Sequence, residues 1–400
     1  LFLFSIGGFT FVVFKTYKMN DMKGKQGLVC MGLLLVLSSC SCHTGKQITA
    51  SGLQRKDFQT EVNGQHTDLF TLSNKQGMEV CITNYGARVV SILVPDRNGK
   101  REDVVCGFST ITEYMEQRQN FGSTVGRYIG RILNARFTLD GVEYKLVPNN
   151  GKSGHISHGG NPGFADRIWK VEQADTHRVR LSYLSPDGEN GFPGNLKVTL
   201  VYSLGEDDNA LDLTYEATTD APTVLNLSHH SFFNISGNFT KSVEDQQLWV
   251  DADRFTPYDD KKCVTGEYLP VAGTPLDFRM PHTIGECIDA DHPQLKVVNG
   301  YDHTWELNTK GDDTRPAAWV YDPASGRKME IFTTEPGMQI YTGNGLKGKM
   351  TGKGGIAYPF RSAVCFETMH FQDSPNQPGF PSTVLRPGEV FRSHTVYKFE

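Results

Sequence analysis

Residues 196–218 read LKVTLVYSLGEDDNALDLTYEAT, and this stretch decides the fold class. Apolar and polar side chains alternate over residues 198–202, a run of turn-forming residues follows at 205–209, and the alternation resumes over residues 211–215. A period of two on both sides of a polar turn predicts an antiparallel β-hairpin with one buried face.

The same alternation recurs along the chain between clusters of Gly, Asn, Asp and Pro. Helical periodicity is confined to residues 109–117 and a turn near Thr283. Many short strands without alternating strand–helix units predict an all-β fold of stacked, mainly antiparallel sheets in one domain. Further strands are predicted at 77–93, 178–184, 223–233, 328–342 and 390–399.

The charge balance argues against a nucleic-acid partner. The 400 residues include 40 Lys and Arg against 45 Asp and Glu, a formal net charge of −5. Such a surface lacks the positive field that closely spaced phosphates attract. The chain also contains 38% hydrophobic residues, enough for a large buried core.

The first forty residues are typical of an export signal. Lys23 and Lys25 precede an apolar stretch at 27–37, which leads through two serines to Cys40. This order matches the basic region, the apolar region and the cleavage site of a signal peptide. Because the small residues end on a cysteine, the segment resembles a bacterial lipoprotein signal with Cys40 as the lipid anchor. An ordinary signal peptide and an uncleaved N-terminal anchor are the alternatives.

This interpretation divides the chain into an extension and signal at 1–40, a linker at 41–55 and the β domain at 56–400. It predicts translation from Met19 or Met22. It also predicts an exported protein, periplasmic or attached to the outer membrane of a Gram-negative bacterium.

The cysteines beyond the signal show no metal-binding pattern. They form neither a CxxC pair nor a Cys/His array with zinc spacing, so we expect no structural metal. Export would permit disulfides, but the irregular spacing predicts no particular bridge. These cysteines are Cys42, Cys81, Cys106, Cys263, Cys287 and Cys365.

Two histidine-containing clusters are candidates for chemistry. In residues 226–234, alternation places Ser228 and His230 on one face of a strand and His229 on the other. Taken alone, such histidines are more often buried core residues, or part of a metal site. His158 lies among glycines that permit close approach of a ligand, although a flexible loop has the same composition.

Charged residues in apolar segments form the other candidates. Asp302 lies at a predicted loop-to-strand junction, where ordinary turn chemistry is the alternative. Glu367 lies inside an apolar strand, where desolvation raises the pKa of a carboxyl group and makes it a better base. A salt-bridged structural Glu is the alternative. Arg127 and Arg131 carry planar donor groups that suit sugar hydroxyls as well as anions.

One apparent nucleotide-binding motif fails on its context. Residues 343–348 match GxGxxG, but no strand–helix–strand pattern surrounds them. The chain also lacks a GxSxG elbow, a Walker loop and an HExxH motif.

In their order, the clusters resemble the aldose 1-epimerase (galactose mutarotase) family from about Phe58 to Phe399. Eight blocks in the order of the family are a specific signal, and they imply a β-supersandwich with an open sugar-binding cleft. The blocks are TVGRYIGRI (124–132), SHGG (157–160), NGFPG (190–194), NLSHHSFFNI (226–235), NGYDHTW (299–305), TTEPGMQIYTGN (333–344), VCFET (364–368) and NQPGFPSTVLRPGE (376–389).

The resemblance also implies residue roles. Glu367 matches the general base of the family and His230 its general acid. The positions that hold the sugar are matched by Arg131, His158, Asp302 and Gln339.

Three residues depart from the pattern of the family and bear on sugar preference more than on chemistry. Gly130 and Asn190 stand where relatives often have Asn and His, and His229 stands where they have Asn.

The expected activity is interconversion of the α and β anomers of free hexoses, glucose or galactose, by a monomer without cofactor or metal. A glycoside hydrolase with Glu367 and Asp302 as its carboxylate pair is one alternative. A non-catalytic sugar-binding lipoprotein is another. A hexose-6-phosphate epimerase would need a further basic cluster at the mouth of the cleft, which the sequence does not locate.

Overall fold

The hairpin predicted from residues 196–218 is present in the structure, a computed structural model that describes residues 2–6, 9–13 and 47–400. Strands Leu196–Leu204 and Ala210–Thr219 pair antiparallel, with Leu204 opposite Leu211. Every second side chain of the first strand is buried. The prediction of a two-residue period with one buried face is therefore confirmed.

This hairpin lies inside a nine-stranded antiparallel sheet. The C-terminal strand Phe391–Phe399 pairs on one side with Ala210–Thr219 along nearly its whole length, and on the other side with Lys328–Thr333. In spatial order the strands are Lys170–Ala174, Arg178–Ser185, Leu196–Leu204, Ala210–Thr219, Phe391–Phe399, Lys328–Thr333, Ala318–Tyr321, Gln247–Val250 and His282–Thr283.

A six-stranded and a four-stranded sheet pack against the same core. The order of the six-stranded sheet is Phe232–Phe233, Val364–Met369, Gly337–Tyr341, Asp302–Glu306, Arg254–Thr256 and Leu269–Pro270. The order of the four-stranded sheet is Leu69–Ser73, Glu79–Thr83, Arg88–Pro95 and Arg101–Asp103.

The main core joins apolar side chains of these three sheets. Leu213 and Tyr397 come from the nine-stranded sheet, Ile340 and Phe366 from the six-stranded sheet, and Val80 from the four-stranded sheet. The hydroxyl of Tyr397 donates a hydrogen bond to the carbonyl of Phe366 at 2.9 Å, which ties two of the sheets together. Stacked antiparallel sheets confirm the predicted all-β class.

Within residues 47–400, short strand pairs form separate two-stranded sheets. They are Glu61–Val62 with Gln65–His66, Ser123–Val125 with Ser228–His230, Arg131–Ile132 with Ile156–Ser157, Arg136–Leu139 with Val142–Lys145, and Thr223–Val224 with Val384–Leu385.

Helices are a small minority of the described chain. The helix predicted at 109–117 is present as Ile111–Gln117, where the side chains of Thr110 and Glu113 form a capping box. The turn predicted near Thr283 is the 3-10 helix Ile284–Glu286, whereas the α-helix Pro293–Val298 was not predicted. Other 3-10 helices span Arg55–Phe58, Leu133–Ala135, Gly151–Ser153, Phe164–Asp166, Glu189–Gly191, Lys353–Gly355 and Ser374–Asn376.

The chain divides into two units, Leu1–Cys42 and His43–Glu400. In the first, strands Phe2–Ile6 and Phe9–Val13 form an antiparallel hairpin. Residues 14–46, which contain the predicted signal from Lys23 to Cys40, lie outside the described residues. In the second, the backbone amide of Ala50 donates to the carboxylate of Glu79, so part of the predicted linker packs on the β fold. No helix among the described residues has the length and apolar character of a membrane span.

Candidate active site

All six residues that the sequence nominated for catalysis or sugar binding line one cavity of about 240 Å³. They come from six separate segments of the chain, so the fold alone brings them together. These residues are Arg131, His158, His230, Asp302, Gln339 and Glu367.

The six-stranded sheet supplies three of them by simple alternation. Glu367 and Gln339 are directly opposite each other on paired strands. Their chain neighbours Phe366 and Ile340 point to the other face of the sheet and enter the main core. Asp302 begins the next strand, as the predicted loop-to-strand junction requires. Polar side chains therefore face the cavity while their apolar neighbours fill the core.

A short strand pair and the loop that follows it supply two further residues. Arg131 begins the short strand that pairs with Ile156–Ser157, and His158 follows that partner strand. His158 adopts a left-handed backbone conformation, φ 52°, which is uncommon for a non-glycine residue and is enriched at functional sites. At Gly159 a Cβ atom would lie only 2.0 Å from the carbonyl oxygen of Gly126. Glycine there lets the loop approach closely enough to place the histidine in the cavity.

The two adjacent histidines face opposite ways, as alternation predicts. His230 lines the cavity, and its ring stacks on Phe232 with a centroid separation of 5.1 Å. His229 points into the core, where its ring contacts Tyr202 and Tyr397 and hydrogen-bonds to Ser231 at 2.6 Å.

A carboxyl group and an imidazole meet on the cavity wall. Nε2 of His230 lies 3.4 Å from Oε1 of Glu367, and both residues are buried, 6% and 4% exposed. Burial raises the pKa of Glu367 well above its ordinary value, and the charge of Asp302 acts in the same direction. Burial lowers the pKa of His230 to about 4, while hydrogen bonding to its own backbone carbonyl opposes this shift. These directions favour a pair that holds one proton near neutral pH.

A hydrogen-bond network lies beside this pair on the two neighbouring strands of the six-stranded sheet. The side-chain amide of Gln339 donates to Asp302 at 2.6 Å and accepts from the hydroxyl of Thr304 at 2.5 Å. Burial raises the pKa of Asp302, whereas the positive charge of Arg131 and the amide of Gln339 act against that rise. Burial also lowers the pKa of His158 to about 3, so its ring is neutral near pH 7. The cavity thus presents both donors and acceptors to a polyhydroxylated ligand.

Arg127, the other arginine of the predicted pair, has a structural role. Arg127 is 2% exposed, and its guanidinium donates to the hydroxyl of Ser185 and to the carbonyls of Pro193 and Gly194. It is absent from the cavity wall.

The departures from the family pattern have different structural contexts. Asn190 lies beside the loop that carries His158, where its amide donates to the carbonyls of Gly159 and Pro162 at 2.9 Å. Gly130 does line the cavity, and a Cβ atom there would lie 2.5 Å from Cγ of Gln372. The side chain of Gln372 therefore occupies the space into which a side chain at position 130 would project.

Sequence reasoning missed several residues of the cavity wall. Phe232 and Tyr341 lie two positions after His230 and Gln339, so strand alternation could have found them. No such period exists in loops or turns, which supply Gln119, Asn120 and Gln372. The remaining residues of the wall are Gly130, Ser157 and Met369.

A second polar groove adjoins the cavity and has a volume of about 330 Å³. The two share Asn120, Arg131, Ser157 and His158. The groove extends the polar surface away from the Glu367–His230 pair.

His230, Cys365 and Glu367 offer three potential metal-ligand atoms within 4.8 Å of one another. The sulfur of Cys365 lies 3.6 Å from Nδ1 of His230, whereas the carboxyl group of Glu367 approaches Nε2. Because one ion binds one ring nitrogen, contacts to opposite nitrogens favour hydrogen bonding over a shared metal. The five cysteines of the described region are free thiols.

Sequence comparison agrees with this geometry. A profile of the family described as aldose 1-epimerase matches residues 68–398. The chain belongs to the aldose 1-epimerase family. Relatives include galactose mutarotase of Sus scrofa, 39% identical over 82% of this chain and 93% of that protein. Aldose 1-epimerase of Escherichia coli K12 is 36% identical over 84% of this chain and 96% of that protein.

Solved structures show the same architecture as this aldose 1-epimerase family member. The aldose epimerase homologue of C. elegans superposes with a TM-score of 0.77 at 31% identity, covering 84% of this chain and 99% of the other. Galactose 1-epimerase of Lactobacillus acidophilus gives a TM-score of 0.74 at 28% identity, covering 86% and 97%. The predicted mutarotase-like fold is confirmed.

Proposed function

We propose that this chain interconverts the α and β anomers of free aldohexoses, with glucose and galactose as substrates. The observation that carries the proposal is the Glu367–His230 pair, 3.4 Å apart on the wall of a polar cavity. Membership of the aldose 1-epimerase family and likeness to proteins named galactose mutarotase support it.

The reaction needs one proton acceptor and one proton donor. Glu367 as a carboxylate removes the proton from the anomeric hydroxyl, and His230 as an imidazolium delivers a proton to the ring oxygen. The bond between C1 and the ring oxygen breaks, and C1 becomes an aldehyde. Rotation about C1–C2 followed by closure with reversed proton transfers gives the other anomer. Each well-placed acid or base contributes about 10²- to 10⁴-fold.

A one-proton pair suits these reversible transfers. The ion pair of carboxylate and imidazolium holds the same number of protons as the neutral pair of carboxylic acid and imidazole. Moving the proton between Glu367 and His230 therefore changes which group is the acid without exchange with solvent. Opening and closure of the ring need this reversal.

We assign the remaining cavity residues to holding the sugar. Arg131 and the amide of Gln339 can donate to hydroxyl oxygens, and Asp302 can accept from hydroxyl groups. His158 lies beside His230, with ring centroids 5.5 Å apart, and orients the sugar near the proton donor. Fixing the ring in one orientation lowers the entropic cost of reaching the transition state.

Two conservative variants test these roles. Glu367→Gln and His230→Asn keep the size of each side chain roughly constant but remove its proton transfer. We expect each to lower the rate of mutarotation by about 10²- to 10⁴-fold, measured by polarimetry, with galactose affinity within about threefold by calorimetry. Wild-type turnover in Glu367→Gln would refute the assignment of the base.

Assays of the wild-type protein separate the alternative functions. A sugar-binding protein would bind galactose without accelerating mutarotation. A glycoside hydrolase would release free sugar from an aryl glycoside, and the comparisons favour the epimerase over this reading.

We also propose that the mature protein is a lipoprotein anchored through Cys40. The support is the order of basic, apolar and small residues before this cysteine. Metabolic labelling with palmitate should mark the wild-type protein and leave Cys40→Ala unlabelled. Labelling of both proteins, or of neither, would contradict the proposal.

A further inference from the structure

A buried thiol contacts the proposed acid of the reaction. Sγ of Cys365 lies 3.6 Å from Nδ1 of His230, and Cys365 has no exposed surface. Cys365 precedes Glu367 by two residues on the same strand, so both side chains project to the same face of the sheet. One strand thus contacts both nitrogens of the imidazole.

The position of the ring is fixed by its neighbours. Phe232 stacks on one face of His230 at an interplanar angle of 21°, and the ring of His158 meets it edge-on. Because the ring is confined, Nε2 faces Glu367 while Nδ1 faces the sulfur. The hydrogen bond at Nδ1 therefore determines which nitrogen carries the proton when the ring is neutral.

We propose that Cys365 is a positioning residue whose sulfur accepts a hydrogen bond from Nδ1–H of His230 and keeps Nε2 as the nitrogen that gains and loses the proton. This inference rests on the proposed function of the Glu367–His230 pair. Cys365 is not among the residues that line the cavity, so it would act through His230 rather than on the sugar.

The chemistry requires this tautomer. After the imidazolium gives its Nε2 proton to the ring oxygen, the neutral ring must retain its proton on Nδ1. In the opposite tautomer Nε2 already carries the only proton, and a second transfer would leave an imidazolate. An acceptor at Nδ1 therefore keeps the lone pair of Nε2 directed toward the reacting groups.

The environment of the thiol keeps it uncharged. Burial, together with the charge of Glu367, raises the pKa of Cys365 well above its ordinary value, so the group remains a neutral thiol whose sulfur can still accept a weak hydrogen bond from Nδ1–H. A thiol is a weak acceptor, and the carbonyl of His230 itself also favours a protonated ring. The effect of Cys365 on the rate should accordingly be moderate.

The decisive measurement is ¹⁵N NMR of the histidine side chains in the wild-type protein, with His230 assigned by the signal lost in His230→Asn. We expect the neutral ring of His230 to carry its proton on Nδ1. A proton on Nε2 would overturn the proposal, because the thiol would then be the donor. This readout needs neither turnover nor a Cys variant, so it stays informative if the proposed function fails.

Substitutions test the consequence for catalysis. Cys365→Ala removes the acceptor, and we expect kcat to fall about five- to tenfold with KM within about twofold, as for loss of one orienting hydrogen bond. Cys365→Ser restores an acceptor and should recover most of kcat. The tautomer of His230 should become mixed in the Ala variant and return toward Nδ1–H in the Ser variant.

Cys106→Ala is a matched control. Cys106 is a buried thiol of the same hydrophobic cluster, and its thiol makes no hydrogen bond to His230. We expect this variant to keep the wild-type kcat and tautomer, with circular dichroism confirming that every variant is folded. Equal losses in Cys106→Ala and Cys365→Ala would show general loosening of the core and refute the positioning role, as would unchanged kcat and tautomer in Cys365→Ala.

Discussion

The pH range of activity follows from the protonation of the Glu367–His230 pair. Turnover needs one proton on the pair, because the reaction uses one donor and one acceptor. Burial lowers the pKa of His230 to about 4, so a second proton binds only below that pH. Burial also raises the pKa of Glu367, so the single proton is lost only as the pH rises through that raised value.

We therefore expect kcat/KM to be constant between about pH 5 and neutrality, and to fall about tenfold per unit of pH below about 4. The alkaline limb should lie well above the ordinary pKa of a glutamic acid.

Polarimetry of freshly dissolved α-D-galactose at constant ionic strength, corrected for the spontaneous reaction in the same buffer, gives the profile. Circular dichroism limits the comparison to the pH range in which the protein is folded. His394→Asn is the matched control, because it removes a histidine outside the cavity and should leave the profile unchanged. An acid limb near pH 6.5, the ordinary value for histidine, would refute the argument that burial sets the range.

Three further outcomes are expected. Gly159→Ala should lower kcat/KM at least about tenfold in the polarimetric assay, because the new Cβ meets the backbone oxygen of Gly126 and displaces the loop that carries His158. Gly99→Ala is the control: Gly99 also has a positive φ, +80°, but a Cβ there meets open space, so kcat/KM should not change. Gln339→Leu leaves Asp302 without its amide donor, and its kcat/KM should fall about tenfold to a hundredfold; an unchanged value would remove Gln339 from the site. The imidazole of His394 pairs with Asp212 and Asp313, and these contacts raise its pKa to about 8. The raised pKa contributes about 1–2 kcal/mol to the free energy of unfolding, which is fully present below pH 6.5 and is lost as the pH rises through 8. Urea unfolding at pH 6 and pH 9 should show a smaller difference for His394→Asn than for wild type, and equal differences would contradict this.

Local periodicity predicted most of the fold. The hairpin at 196–218 was predictable because alternation and turn chemistry specify the same register. The helix Pro293–Val298 was missed because its six residues are too few to establish a helical period. The order of strands in the sheets depends on pairings between distant segments, which no local pattern encodes.

The cavity was predictable to a similar extent. Five of the six residues stood out in their local sequence, Glu367 most clearly as a charge inside an apolar strand, whereas Gln339 and the role of each residue came from the resemblance to the family. Gln372 escaped notice because its place in the cavity is set by contacts between loops. The contact between Cys365 and His230 joins residues 135 positions apart and becomes visible only when the strands are paired.

Exchange spectroscopy on equilibrated galactose tests the central claim most directly, because it detects interconversion of anomers without any net change in concentration. The account predicts proton NMR cross-peaks between the α and β anomeric protons in the presence of wild-type protein, and only the spontaneous exchange with Glu367→Gln at the same concentration. Absence of accelerated exchange with both galactose and glucose would contradict the assignment of this chain as an active mutarotase.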